Sequence, residues 1–177
     1  MSTLKRTNNQ AGFTLIEVLV SALVLVVGVL GVAALQVTAL KNLQSSGNTG
    51  VASMLANDIA DRMWVNDDQA KLGSYVHSKA PNGEVLDCVE NKCTADQVAA
   101  YDIQDWQQQL EGYTTTDGVS VPPMLPSGQG EVTSLGGTTY QIRIRWDDDR
   151  SGSTKTNCPP QSEADLDCYT ITVTLRP

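Results

Sequence analysis

Residues 10–36 read QAGFTLIEVLVSALVLVVGVLGVAALQ. The run is apolar almost throughout, yet Glu17 stands near its start, four residues after Phe13. From Val18 to Leu40 no residue is charged. Such a run, about 23 residues long, can cross roughly 30 Å of hydrocarbon as a helix. A carboxylate at the centre of a bilayer costs about 2.5–3.5 kcal/mol by insertion scales, and less near an interface. Glu17 therefore needs a reason. A cleaved secretory signal has an apolar core of about 7–15 residues placed close behind its basic residues. Here the run is longer, and polar residues separate it from Lys5 and Arg6, although VAALQ (32–36) offers a small-residue cleavage site after Ala34. A plain single-span anchor explains the length but not the glutamate.

The stretch GFTLIEVLVSALVL (12–25) resembles the class III signal of type IV pilins and their relatives. That pattern is a short basic leader, a Gly-Phe junction, and an apolar segment with a glutamate four residues after the Phe. The resemblance implies that a prepilin peptidase cuts between Gly12 and Phe13 on the cytoplasmic side and then N-methylates Phe13. The apolar segment stays on the product. Glu17 then acquires a physical role. Cleavage creates an amino group on Phe13, largely protonated near neutral pH. In a filament, Glu17 of one subunit can meet the Phe13 amine of its neighbour. A register that leaves the carboxylate unpaired is penalised, so Glu17 acts as a subunit-registration device. The competing reading is a carboxylate that reaches the headgroups and pairs with nothing.

Beyond Leu35 the chain becomes amphipathic. Val51, Leu55, Ile59 and Met63 recur every four residues, flanked by Ala52, Ala56 and Ala60, while Asp58, Asp61 and Arg62 fall off the stripe. This is helical periodicity. Residues 13–64 are expected to form one helix of roughly 80 Å at about 1.5 Å per residue. Gly28, Gly31, Gly47 and Gly50 are soft points in it, each costing about 1 kcal/mol against Ala. The GVLG stretch (28–31) suits either a bend or close packing in the membrane.

Residues 67–93 read as loop and short structure, with a turn at Asn82-Gly83. The sole histidine, His77, has no companion ligand or base nearby in sequence and is expected at the surface. In TADQVAAYDIQDWQQQLEG (94–112), Thr94 with Gln97 forms a capping pattern and Gly112 a stop. The helix between them has an imperfect apolar face of Val98, Tyr101, Ile103, Trp106 and Leu110. Two later stretches alternate with period two: YQIRIRW (140–146) and CYTITVTLR (168–176). Both read as half-buried antiparallel strands. GEVTSLGGTTY (130–140) adds a strand turning at Gly136-Gly137. The expected fold is α+β and pilin-like: a long N-terminal helix, transmembrane in its first half and amphipathic in its second, packed on a C-terminal antiparallel sheet of three or four strands. The division is a leader (1–12), a membrane segment (13–36), an amphipathic half (37–66) and a periplasmic head (67–177).

Four cysteines, Cys88, Cys93, Cys158 and Cys168, lie in the second half. They lack metal-ligand spacing and a set of histidines, so they read as disulfides in an oxidising compartment. The local pairs Cys88–Cys93 and Cys158–Cys168 are the simplest of three connectivities.

The chain has 12 basic and 20 acidic residues. Without Lys5 and Arg6 the balance is 10 to 20, which argues against nucleic-acid binding through phosphates. Asp147, Asp148 and Asp149 fail the EF-hand pattern and suit a solvated hairpin turn; a weak calcium site there is the alternative. No nucleophile–base pair, P-loop or dinucleotide fingerprint occurs. No enzyme, catalytic residue, cofactor or metal is expected.

Later blocks, YDIQDWQQQL (101–110), PMLPSGQGEV (123–132), YQIRIRWDDD (140–149) and the terminal DCYTITVTLRP (167–177), resemble the PilV group of minor pilins. Membership implies assembly of the type IV pilus from a priming complex in the inner membrane that ends at the pilus tip, supporting adhesion and twitching motility. The implied partners are the prepilin peptidase, other minor pilins, the major pilin and a large tip adhesin. The absence of proline around Ala34, where major subunits commonly have one, departs from the pattern of abundant subunits, and a major pilin stays a rival reading. The other rival readings are a minor pseudopilin of type II secretion and a membrane-anchored periplasmic interaction domain.

Overall fold

The computed structural model describes residues 12–77, 85–162 and 165–176. The leader before Gly12 and the expected Asn82-Gly83 turn lie outside these residues. The chain divides into two compact units, the first ending at Gln44 and the second beginning at Ser45.

The first unit is helical. Helix α1 (Leu15–Val65) begins here and runs through Gly28, Gly31, Gly47 and Gly50 without a break. Its most apolar window has a mean hydropathy of 2.9, and none of that window is buried within the protein. The hydroxyls in this stretch are satisfied locally. Ser21 donates to the Glu17 carbonyl at 2.7 Å and Thr38 to the Ala34 carbonyl at 3.2 Å. A hydroxyl bonded to its own helix leaves no unpaired donor on the apolar surface.

The second unit holds the remainder of α1, short α2 (Asp67–Lys71), α3 (Ala95–Glu111), a two-residue hairpin β1 (Tyr113–Thr114) with β2 (Ser120–Val121), and strands β3 (Gln129–Gly136), β4 (Thr139–Trp146) and β5 (Asp167–Thr174). The three long strands form an antiparallel sheet in the order β3-β4-β5. The amphipathic stripe of α1 buries Ala52, Leu55, Ala56, Ile59, Ala60 and Met63. They join Tyr140, Ile142, Ile144 and Trp146 of β4, together with Leu175, in one core. The fold is thus α+β, with the long helix packed on the C-terminal sheet.

Between them, α3 contributes Ala99, Ile103, Trp106 and Leu110 to the core. Val98 and Tyr101, expected on this face, are only half-buried at its flank, and small Ala99 takes the central position. Trp106 is a core residue whose Nε1 donates to the Leu55 carbonyl at 2.9 Å, and Gln107 donates to the Gly130 carbonyl at 3.0 Å. Gly130 is glycine because a Cβ there would lie 2.4 Å from the Trp106 ring. The start of α3 is fixed by the Thr94 N–H, which donates to the Gln97 side chain at 3.0 Å. At its end Gly112 has φ +75°, and a Cβ there would meet the Val121 carbonyl at 2.8 Å. The β1–β2 hairpin and α2 are too short to leave a periodic signal in the sequence.

Candidate processing and assembly site

Gly12 and Phe13 are exposed and non-helical, immediately before α1. Nothing lies within 4 Å of where a Gly12 Cβ would be, and Phe13 is 83% exposed. The peptide bond between them lies in accessible backbone, the kind a peptidase can reach.

Thr14 opens the helix. Its carbonyl accepts the Glu17 N–H at 3.1 Å and the Val18 N–H at 3.3 Å, and its Oγ1 lies 3.4 Å from the Glu17 nitrogen. Glu17 is therefore the third helical residue, in the T-x-x-E spacing of a capping box. A carboxylate there sits beside the unpaired N–H groups and the positive end of the helix dipole. This is a local reason for an acidic residue at this point. The Thr-x-x-Glu spacing of TLIE (14–17) carries this signal in the sequence.

Two family models match the chain. One, described as a prokaryotic N-terminal methylation motif, covers residues 7–33. The other, described as type IV pilin Tt1218 (Tt1218-like), covers residues 34–104. Over residues 34–104 the chain is similar to a type IV pilin, and the methylation motif precedes that stretch directly. Proteins of this class are structural rather than enzymatic, and the methylation motif implies processing by a prepilin peptidase and assembly with other pilins. Strands β3, β4 and β5 lie beyond both matches. No curated protein and no solved structure matches the chain.

In the second unit, disulfides join Cys88 to Cys93 and Cys158 to Cys168. Asp147 is not the solvated turn residue expected. It is 4% exposed, and its carboxylate accepts the Ser151 N–H at 3.0 Å and the Gly152 N–H at 2.7 Å. The Asp147–Asp149 stretch turns, but it does not make a hairpin. The connection to β5 runs on through the Cys158–Cys168 loop. Asp165 organises that loop by accepting from the Gln161 and Ser162 N–H groups, the Ser162 hydroxyl and the Asn157 amide at 2.7–2.9 Å. Burial works to raise the Asp165 pKa, but these donors outweigh it and hold the carboxyl below its ordinary range. Asp167 is pushed up instead, first by burial and then by the charges of Asp148, Asp149 and Asp147. Among the described residues no three His, Cys, Asp or Glu side chains form a group that could hold a metal ion.

His77 is not a free surface residue either. It is half-buried, and its backbone exchanges hydrogen bonds with Val132 on the outer edge of β3 at 2.8 and 2.7 Å. Burial lowers its pKa. A residue six positions past the end of α2 gives no sequence signal for such a distant bridge.

A cationic hub ties α1 to α3. Arg62 donates to Asp58 at 3.1 Å, to Asp102 at 3.3 Å and to Asp105 at 2.6 Å. Burial works against the charged guanidinium, but the hydrogen bond to Asp105 and the three carboxylate charges raise its pKa overall. Tyr75 donates its hydroxyl to Asp102 at 2.5 Å; burial and that carboxylate push the phenol up.

Proposed function

We propose that the chain is a minor pilin of the PilV group that helps to start type IV pilus assembly from an inner-membrane priming complex. In this reading residues 1–12 are the leader, 13–36 the membrane and filament-core segment, 37–66 the amphipathic half of the helix, and 67–177 the periplasmic head. The prepilin peptidase cuts between Gly12 and Phe13 and methylates the Phe13 amine. The head moves to the cell surface, at the pilus tip, once the filament extends. Neighbours are other minor pilins, the major pilin and a tip adhesin, and the outcome is adhesion and twitching motility.

The observation that carries the reading is the coincidence of three features: an accessible Gly12–Phe13 junction, Glu17 in the first turn of α1, and an unbroken apolar helix behind it. Glu17→Gln tests the registration role directly. Glutamine also serves at the third position of a capping box, so the helix start is retained and only the charge is lost. Breaking a fully buried ion pair costs about 3–5 kcal/mol, less with interfacial exposure; even about 1.4 kcal/mol is tenfold in association. The variant is expected to be inserted and cleaved, to accumulate in the membrane, and to be missing from sheared pili. Wild-type incorporation would favour capping or headgroup contact as the role of Glu17. Deleting the chain should remove surface pili and leave exoprotein release intact; the reverse outcome would assign it to type II secretion.

A further inference from the structure

Strand β5 forms one edge of the three-stranded sheet, and the two edges differ. The outer edge of β3 is closed at its middle by the reciprocal hydrogen bonds between His77 and Val132. On β5 two bonds fix the direction of the backbone groups. Leu175 N–H donates inward to the Thr138 carbonyl, and Leu166 N–H donates outward to the Lys155 carbonyl. The β4–β5 register is unbroken from Asp167 to Thr174. By strict alternation in an antiparallel ladder, Thr170, Thr172 and Thr174 present their N–H and C=O groups outward. Among the described residues no backbone group outside the sheet bonds to them.

Open edges are ordinarily blunted by charge, proline or a bulge. The segment Tyr169–Thr174 has none of these. Its three threonines are exposed, and on the other face Tyr169 and Ile171 remain half-buried while Ile142 and Ile144 of β4 are fully buried. We propose that this edge accepts an extended strand from a neighbouring subunit of different sequence. The backbone geometry calls for a strand, since only an extended chain offers donors and acceptors at matching spacing. The partner strand alternates, with apolar residues completing the cover over Tyr169 and Ile171 and small polar ones beside the threonines. Asp147, Asp148, Asp149, Asp165 and Asp167 line a recess at the start of β5, so the partner carries a basic residue at that end.

A second copy of this chain fits poorly. Its β3 edge is blocked by His77, and antiparallel β5–β5 pairing would point the α1 segments packed on the two sheets in opposite directions. Membrane-anchored neighbours share one direction. This last step rests on the pilin reading, whereas the open edge does not.

The test uses the full-length chain in its own host cell, with a photocrosslinking residue at Thr170 and, as control, at Asp117 in the β1–β2 turn. Adduct peptides are sequenced by mass spectrometry. Crosslinks from position 170 to an alternating segment of another subunit are expected, with none from position 117. Thr172→Pro, which removes an outward N–H, and Thr172→Lys, which adds a charge on the exposed face of the edge strand, should each reduce the adduct and co-assembly at least tenfold while leaving the melting temperature within about 2 °C. If the proline variant does not fold, the lysine variant decides. Adducts only to a second copy, no adduct, or full adduct yield with Thr172→Lys would overturn the proposal. A chain that never enters pili but still gives the heterologous adduct in membranes would refute the pilus reading and leave the edge intact.

Discussion

Replacing Arg62 by glutamine removes the cation that three carboxylates share. The cost can be graded by exposure. The Arg62 side chain is 23% exposed, and those of Asp58, Asp102 and Asp105 are 38%, 13% and 36%. The Asp58 and Asp105 pairs are screened by solvent and are worth about 0.2–1 kcal/mol each. Asp102 is the least exposed and also accepts the Tyr75 hydroxyl. A hydrogen bond to such a charged group is worth about 1.5–3 kcal/mol. Arg62→Gln should therefore destabilise the head by about 2–3 kcal/mol, with Asp102→Asn next and Asp58→Asn below about 1 kcal/mol. For a protein of this size each kcal/mol moves Tm by about 2–4 °C. Thermal unfolding of the detergent-solubilised full chain, followed by tryptophan fluorescence, should show a drop of roughly 4–12 °C for Arg62→Gln. A drop under about 2 °C, or a larger effect from Asp58→Asn than from Asp102→Asn, would refute the reasoning that burial sets the ranking.

Other outcomes follow from the same structure. His77 is held with a lowered pKa, so the unfolded chain binds its proton more readily; stability present above about pH 6.5 should decline as pH falls through the folded value, and His77→Phe should flatten that part of the pH–Tm curve. Asp167 is held with a raised pKa, so its ionised form opposes folding; Asp167→Asn should raise Tm at pH 7, and the gain should fade as acid neutralises the native carboxyl. Gly130→Ala would put a methyl against Trp106 and Leu110 Cδ1, and an overpacked core of this kind should lose about 1–3 kcal/mol in urea unfolding.

The parts of this fold visible in the sequence are those with a short period. The stripe Leu55, Ile59, Met63 and the alternation of Tyr140, Ile142, Ile144 and Trp146 describe surfaces that must be covered, and each covers the other. The Gly12–Phe13 junction and Glu17 stand out in the sequence for a related reason, being contiguous with the apolar run. What escaped depends on distant partners. Asp147 looks like a solvated acid until Ser151 and Gly152 fold back on it. His77 looks idle until β3 supplies Val132. Arg62 looks like an ordinary surface cation one turn from Asp58; nothing local shows that Asp102 and Asp105, some forty residues on, complete its shell.

The central claim is that the chain is processed at Gly12–Phe13 and keeps its apolar helix. The most direct measurement is the intact mass and N-terminal peptide of the protein taken from host membranes. The account predicts a chain that begins at Phe13, carries one methyl group on its amine and retains the segment through Leu40. A chain beginning at Met1, or one cut after Ala34 and lacking that segment, would contradict it.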